Sequence, residues 1–165
     1  DGIDLETSIW YLDNPGTTIG DLTLTRSGTL RGVNATLFAL SGTASGFGAV
    51  GSSTGSSTSL TTTASNSMVI ANSSFLDVSS VPTTTPTAQS PLTDGPSVLH
   101  RYNTPNDQGA ALGSGYQIVA TADSVMPTFD SGDVTTAVEF TAVPEPSTFL
   151  LLGALGSMLF LRRRR

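Results

Sequence analysis

The chain has 165 residues, with 13 acidic and seven basic side chains and a net charge of −6, which is enough for one domain of ordinary size. Charged residues make up only 12 %, while 22 Ser and 25 Thr account for 47 positions, a composition that disfavours helices and favours strands and turns. Four of the basic residues are Arg162 to Arg165, so the remainder carries three Arg against 13 acids, a net charge of −10, which excludes nucleic acid and anionic lipid as partners of that part. There is no cysteine, which excludes disulfides and thiol chemistry.

The first part of the chain alternates short strand-like stretches with turns. "SIWYLD" (8–13) ends at an Asn-Pro-Gly turn, and "IGDLTLT" (19–25) places Leu22 and Leu24 on one face. "GVNATLFALSG" (32–42) alternates as well, but Phe38 and Leu40 make its second face apolar, so we expect a strand that is buried on both sides or close to an edge. The Gly/Ser/Thr run at 41–59 is predicted to be a long mobile loop.

Strand character returns in the second part, and a run with four prolines at 79–96 interrupts it as a predicted loop. In "VTTAVEFTAV" (134–143), Val134, Thr136, Val138, Phe140 and Ala142 face one way and the intervening residues the other, which makes it the clearest strand in the chain. The other predicted strands are "SLTTT" (59–63), "SMVIA" (67–71), "SVLHRY" (97–102), "GYQIVAT" (115–121) and a weak "SVMPTF" (124–129).

Eight or nine short strands separated by turns, with no helical pattern before residue 147, predict an all-β fold: an antiparallel β-sandwich of the jelly-roll or immunoglobulin-like kind over residues 1–142. The stretches "WYLDNP", "YQIVATADSVMPTF" and "AVEF" resemble a loosely defined class of bacterial surface sandwiches. That resemblance implies that early strands precede Asp1. Removal of a signal peptide is the other explanation for a start at Asp1.

The last 23 residues differ in composition from everything before them. The segment 149–161 has no charge and is apolar on all sides, so it is not an amphipathic surface helix. As a helix it would span roughly 20 Å of an apolar slab of about 30 Å, a marginal length that flanking residues can extend. The four arginines that follow must stay in the cytoplasm. The body therefore lies on the far side of the inner membrane, in a single-pass topology.

This arrangement of Val143-Pro144-Glu145-Pro146-Ser147-Thr148, a short Leu/Gly-rich span and a terminal arginine cluster resembles the PEP-CTERM sorting signal of Gram-negative bacteria. The resemblance implies export, retention by this tail and cleavage near the PEP motif by the membrane enzyme exosortase, followed by location at the cell surface or in an extracellular matrix. We assign the sorting motif to Val143, Pro144, Glu145, Pro146, Ser147 and Thr148, the membrane anchor to Phe149, Leu150, Leu151, Leu152, Leu155, Leu159, Phe160 and Leu161, and the basic stop to Arg162, Arg163, Arg164 and Arg165. A plain C-terminal anchor, in which PEP is only a linker, is the alternative.

Catalytic chemistry in the body would depend on His100, the sole histidine. "GSSTG" around Ser53 fits the G-x-S-x-G pattern, but that motif needs a strand-to-helix turn, and a match inside a Gly/Ser/Thr tract arises easily by chance. We expect His100 to be a strand-edge or surface residue.

Other polar and aromatic residues have weaker signals. Calcium could bind Asp130 and Asp133 with Asp123, or Asp1, Asp4 and Glu6, yet neither set has EF-hand spacing and turn formation explains them better. The sequons at Asn34 and Asn72 are expected to be chance matches. Trp10, Tyr11, Tyr102 and Tyr116 could form a sugar-binding platform, but we expect core positions for them.

The sequence thus predicts a non-enzymatic, exported envelope protein without cofactor or metal. Its expected partners are exosortase, the lipid bilayer and exopolysaccharide, and its expected role is structural or adhesive in a biofilm matrix. A carbohydrate-binding module and, less favoured, an envelope hydrolase are the alternatives.

Overall fold

Eight β-strands form in the residues that the structure, a computed structural model, describes: 5–12, 23, 33–77, 82–101 and 109–142. No helix occurs within these ranges. The strands are β1 (Val50–Thr54), β2 (Leu60–Thr61), β3 (Ser67–Asp77), β4 (Thr93–Asp94), β5 (Val98–Arg101), β6 (Gly109–Val119), β7 (Ser124–Val125) and β8 (Val134–Phe140). The predicted all-β, antiparallel fold is confirmed for the described part of the chain.

Six strands make one large antiparallel sheet in the order β1-β8-β3-β6-β4, with β5 also paired to β6. β3 pairs with β6 over its whole length, from Ser67↔Val119 to Asp77↔Gly109. On its other side β3 pairs with β8, from Met68↔Phe140 to Ser74↔Val134. Strands β2 and β7 form a separate two-stranded sheet. Strands β8, β3 and β6 are therefore internal, with partners on both sides, and β1 lies at one edge.

One side of the large sheet is the core face, to which the strands of that sheet contribute small apolar side chains. Its main apolar cluster consists of Leu60, Val69, Ala71, Leu92, Val119, Phe129 and Ala137. Leu60 belongs to β2 and Val125 of β7 packs against the cluster, so the small sheet covers this face. The loop that contains Pro86 also approaches this face. It comes so close that a Cβ on Gly113 would overlap the carbonyl oxygen of Pro86. Glycine at that position is what allows the close approach.

The opposite side, the arm face, has a separate apolar cluster of Ile70, Val138 and Phe140. Two extended segments, 5–12 and 33–40, lie over it without belonging to a strand. They contribute Ile9, Phe38 and Leu40, which pack against the cluster. Asn34 Nδ2 donates to the Ala110 carbonyl (3.2 Å) and Thr136 Oγ1 to the Thr7 carbonyl (3.4 Å), so each segment is also hydrogen-bonded to the sheet.

Several element predictions change. The prediction of a strand at 32–42 is wrong for the described residues, because 33–40 form no strand. They lie over the arm face, and the Leu37 side chain is 72 % exposed. Residues 8–12 are not a strand either. The loop predicted at 41–59 contains β1, because Ser and Thr are acceptable in strands when the pairing partner is already in place. The strand predicted at 19–25 falls outside the described residues except Thr23.

Candidate functional site

The end of β8 is the place where the folded body leads into the tail. β8 follows the predicted alternation: Ala137 and Glu139 lie on the core face, while Val138 and Phe140 lie on the arm face. After Phe140 the chain stays attached, because the Ala44 N–H donates to the Thr141 carbonyl (2.8 Å) and Ala142 forms an antiparallel bridge with Thr43. We call the end of the large sheet at which β8 finishes the exit end. The chain is therefore still paired with a neighbouring segment at Ala142.

Glu139 is fully buried one residue before the end of β8, at 0 % exposure. Its Oε2 accepts hydrogen bonds from the Ala49 N–H (2.8 Å), the Thr63 hydroxyl (2.8 Å) and the Thr63 N–H (2.9 Å). Its Oε1 accepts from the same Thr63 N–H (2.9 Å) and from the Ala64 N–H (3.1 Å). The carboxylate thus joins three separate stretches of chain at the exit end.

These donors decide the ionisation of Glu139. Burial by itself opposes the charged form, but hydrogen bonds from the backbone of Ala49, Thr63 and Ala64 and from the Thr63 hydroxyl outweigh it and lower the pKa from 4.5 to about 2. The side chain is therefore a buried anion at neutral pH. A Cβ at Gly48 would overlap its carboxylate, so glycine is also needed at that position.

An aromatic stack lies on the arm face at the exit end. The Tyr11 and Phe47 ring centroids are 4.5 Å apart, and those of Phe47 and Phe140 are 5.4 Å apart, both edge to face. This stack positions the segment before Leu12 beside the last residue of β8. Trp10 and Leu12, on either side of Tyr11, are exposed to 82 % and 75 %.

The residues assigned from sequence to the sorting motif, the membrane anchor and the basic stop, 143–165, lie outside the described residues. Across the described ranges, the structure has no helix of the length and apolarity needed to cross a membrane.

Comparison with protein families supplies the deciding observation. A family model described as the PEP-CTERM protein-sorting motif matches residues 142–165. Residues 142–165 carry a PEP-CTERM protein-sorting motif. The match begins at Ala142, the residue that forms the bridge with Thr43. No characterised relative and no solved structure matches the chain.

The PEP-CTERM signal indicates an exported protein that exosortase processes and that is held at a membrane before processing. The predicted resemblance of the C-terminal residues to the PEP-CTERM sorting signal is therefore confirmed.

The serine and histidine of the hydrolase alternative lie on strands that are far apart in the large sheet. Ser53 is in β1, where its hydroxyl donates to the Ser57 carbonyl, and not at a strand-to-helix turn. His100 is in β5, paired with Ala110 of β6. Four inter-strand steps of about 4.8 Å separate β1 from β5, or roughly 19 Å. The two residues cannot act in one site within this sheet.

The acidic residues considered for calcium serve instead as acceptors for backbone N–H groups. Asp130 Oδ1 accepts from Thr87 (2.8 Å), Asp133 Oδ2 from Leu76 (3.0 Å) and Asp123 Oδ1 from Ser124 (2.7 Å). The hydrogen bond from Thr87 lowers the pKa of Asp130 against a smaller opposing effect of burial. Within the described ranges no three metal-binding side chains come together; Asp1 and Asp4 fall outside them.

The remaining candidates divide between core and surface. Tyr116 packs into the arm-face cluster as expected, whereas the core position predicted for Trp10 is wrong. Tyr102 lies outside the described residues, and the sequence neighbours Trp10 and Tyr11 are exposed to 82 % and 49 %. The asparagines of both sequons, Asn34 and Asn72, are partly buried.

Sequence reasoning missed the role of Glu139. A signal was present, since an acid lies between Val138 and Phe140 in a strand whose two faces are otherwise apolar or small. Such a residue is either exposed at an edge or paired in the interior. The donors could not be found in the same way, because Ala49 and Thr63 are 90 and 76 residues away in sequence.

Proposed function

We propose that this protein is a non-enzymatic envelope component that is exported and held in the inner membrane by residues 149–161, with Arg162 to Arg165 on the cytoplasmic side. Exosortase then cuts near Pro144-Glu145-Pro146. The released body acts as a structural or adhesive element of a surface matrix rich in exopolysaccharide. The observation that carries this proposal is the sorting-motif match at 142–165.

The position of the match supports processing at an accessible connector. Ala142 pairs with Thr43, and two prolines follow within the next four residues of the sequence. Proline cannot continue a ladder and restricts the residue before it to extended backbone. An extended strand between a folded body and a membrane segment is a suitable shape for a processing enzyme to bind.

The attachment of the tail to β8 supports a firm hold on the body while the chain is anchored. β8 is hydrogen-bonded to β1 on one side and to β3 on the other. A force applied through residues beyond 142 would have to shear both ladders, and Glu139 would have to leave its donors as well. A central strand is the most resistant point from which to hold a sheet.

The charge distribution supports the proposed direction of insertion. The basic residues cluster after the apolar segment, and the part before it is strongly acidic. Basic residues close to the end of a membrane segment are retained on the cytoplasmic side, whereas acidic residues have little influence on the direction.

The test is to co-express the full chain with a matching exosortase and to measure its intact mass. We expect a shorter form that lacks the arginine cluster. The matched control replaces Pro144, Glu145 and Pro146 with alanine and leaves 149–165 unchanged; it should keep the full mass and stay in the membrane fraction. An unchanged mass for the parent chain, with an active enzyme present, would contradict the proposal.

A further inference from the structure

The exit end exposes apolar side chains next to the start of the sorting motif. Trp10, Tyr11 and Leu12 are exposed to 82 %, 49 % and 75 %, and Tyr11 is joined through Phe47 to Phe140. Ile118, exposed to 62 %, pairs with Met68, which also pairs with Phe140. Ile118 is therefore level with the last residue of β8. A tryptophan, a tyrosine and two aliphatic side chains lie at the end of the body from which the tail leaves.

The connection to the tail is too short to move this end far from a membrane. Six residues, Val143 to Thr148, separate Ala142 from the apolar segment that begins at Phe149. Fully extended, they span at most about 21 Å. While the chain is anchored, the exit end is held at or within that distance of the lipid surface.

The acidic residues that the structure describes are found toward both ends of the large sheet. Asp77, Asp130 and Asp133 lie toward the opposite end, near residues 73–77 of β3. Glu139 is at the exit end but buried, and Asp123 is exposed beside it. The net negative charge of the body therefore disfavours anionic lipid in general without preventing this end from meeting a neutral lipid surface.

We propose that Trp10, Tyr11, Leu12 and Ile118 form a surface that rests in the interfacial region of the bilayer while the tail is anchored. Tryptophan and tyrosine suit this region because their rings are apolar and their N–H or O–H groups remain hydrated. The contact orients the body upright, with its opposite end in solution, and presents the connector 143–148 at a defined height. This inference rests on the anchoring in the proposed function.

Trp10 is the only tryptophan, so its fluorescence reports on this surface directly. The full chain is reconstituted into zwitterionic phosphatidylcholine vesicles, with or without bromine on the acyl chains near the headgroup. Vesicle flotation first measures anchoring. We expect the anchored chain to show blue-shifted emission and quenching by bromine at least about twofold above that of the control probe, as for an interfacial tryptophan.

The control moves the probe to the opposite end in the double variant Trp10→Phe, Leu99→Trp. Leu99 is 47 % exposed and pairs with Ala111, which is level with Phe75. It is thus seven residues along β3 from the level of Phe140, or about 23 Å. The control probe should remain accessible to aqueous acrylamide and show little bromine quenching.

Each result has a separate meaning. If the chain floats with the vesicles but Trp10 is not quenched, the lipid contact is refuted and anchoring stands. Equal quenching of the two probes refutes an oriented contact. If Trp10 responds to soluble polysaccharide and not to lipid, the aromatic residues are a glycan site and the inference fails. A chain that does not float refutes the anchoring itself, and the lipid contact with it.

Discussion

Replacing Glu139 with glutamine should destabilise the protein by about 3 kcal/mol at pH 7. The free energy follows from the lowering of the pKa from 4.5 to about 2, because each pKa unit corresponds to about 1.4 kcal/mol of preference for the charged form in the folded state. Glutamine keeps the shape of the side chain, but it has one acceptor oxygen where the carboxylate uses two. Its NH₂ group would face a backbone N–H, and two donors cannot form a hydrogen bond with each other. The side chain is fully buried, so solvent does not weaken this effect.

The pH dependence identifies the charge as the cause. Since the folded pKa of Glu139 lies below the unfolded one, its contribution is present above about pH 4.5 and is lost as the pH falls toward 2. The parent chain should therefore lose this stability across that range, whereas Glu139→Gln should not. The difference in free energy of unfolding between them should shrink from about 3 kcal/mol at pH 7 to near zero at pH 2.

Urea denaturation of the full chain in a non-ionic detergent, followed by far-ultraviolet circular dichroism, measures this difference at each pH. Asp123→Asn is the matched control, because it makes the same carboxylate-to-amide change at an exposed residue and keeps the Oδ1 acceptor used by Ser124. It should change stability by no more than about 0.5 kcal/mol. A Glu139→Gln effect below about 1 kcal/mol, or one that is the same at pH 7 and pH 2, would refute the reasoning.

Three further outcomes are expected. Gly113→Ala should cost at least about 2 kcal/mol, because its Cβ would meet the backbone of Pro86; a melting temperature equal to that of the parent would contradict the close packing of that loop. Phe47→Ala should cost about 3–4 kcal/mol by removing both ring contacts of the stack, and urea denaturation that shows less than about 1 kcal/mol would mean that the stack is not formed. Amide hydrogen exchange should be slowest in the centres of β3 and β8, which are paired on both sides, and faster in β1 and β5; equal protection throughout would contradict the strand order.

Two predictions from sequence depended only on local information, and both were confirmed. The sorting motif is a contiguous signal, so its proline pair, apolar run and arginine cluster could be recognised without any knowledge of the body. The two faces of β8 were also predicted, because alternation along a strand determines which residues share a face whatever the neighbouring strands are. The composition, rich in Ser and Thr and poor in charge, indicated strands in the same local way.

Local information was misleading where tertiary contacts decided the outcome. The stretch 33–40 alternates like a strand, but its backbone crosses the arm face and only its even-numbered side chains pack inward. β1 has no strand pattern and forms because β8 supplies a ladder from Val50↔Val138 to Thr54↔Val134. Trp10 was expected in the core and is exposed, because the segment 5–12 turns its other side to the sheet.

The sequence by itself determined that the chain is an antiparallel β-protein with a sorting signal at its end, since both are properties of neighbouring residues. Only the tertiary structure decided that Glu139 is a buried anion with donors 75 to 90 residues away, and that aromatic side chains lie beside the point where the tail departs. Burial and hydrogen bonding depend on which distant segments meet, and that is decided by the packing of the whole sheet.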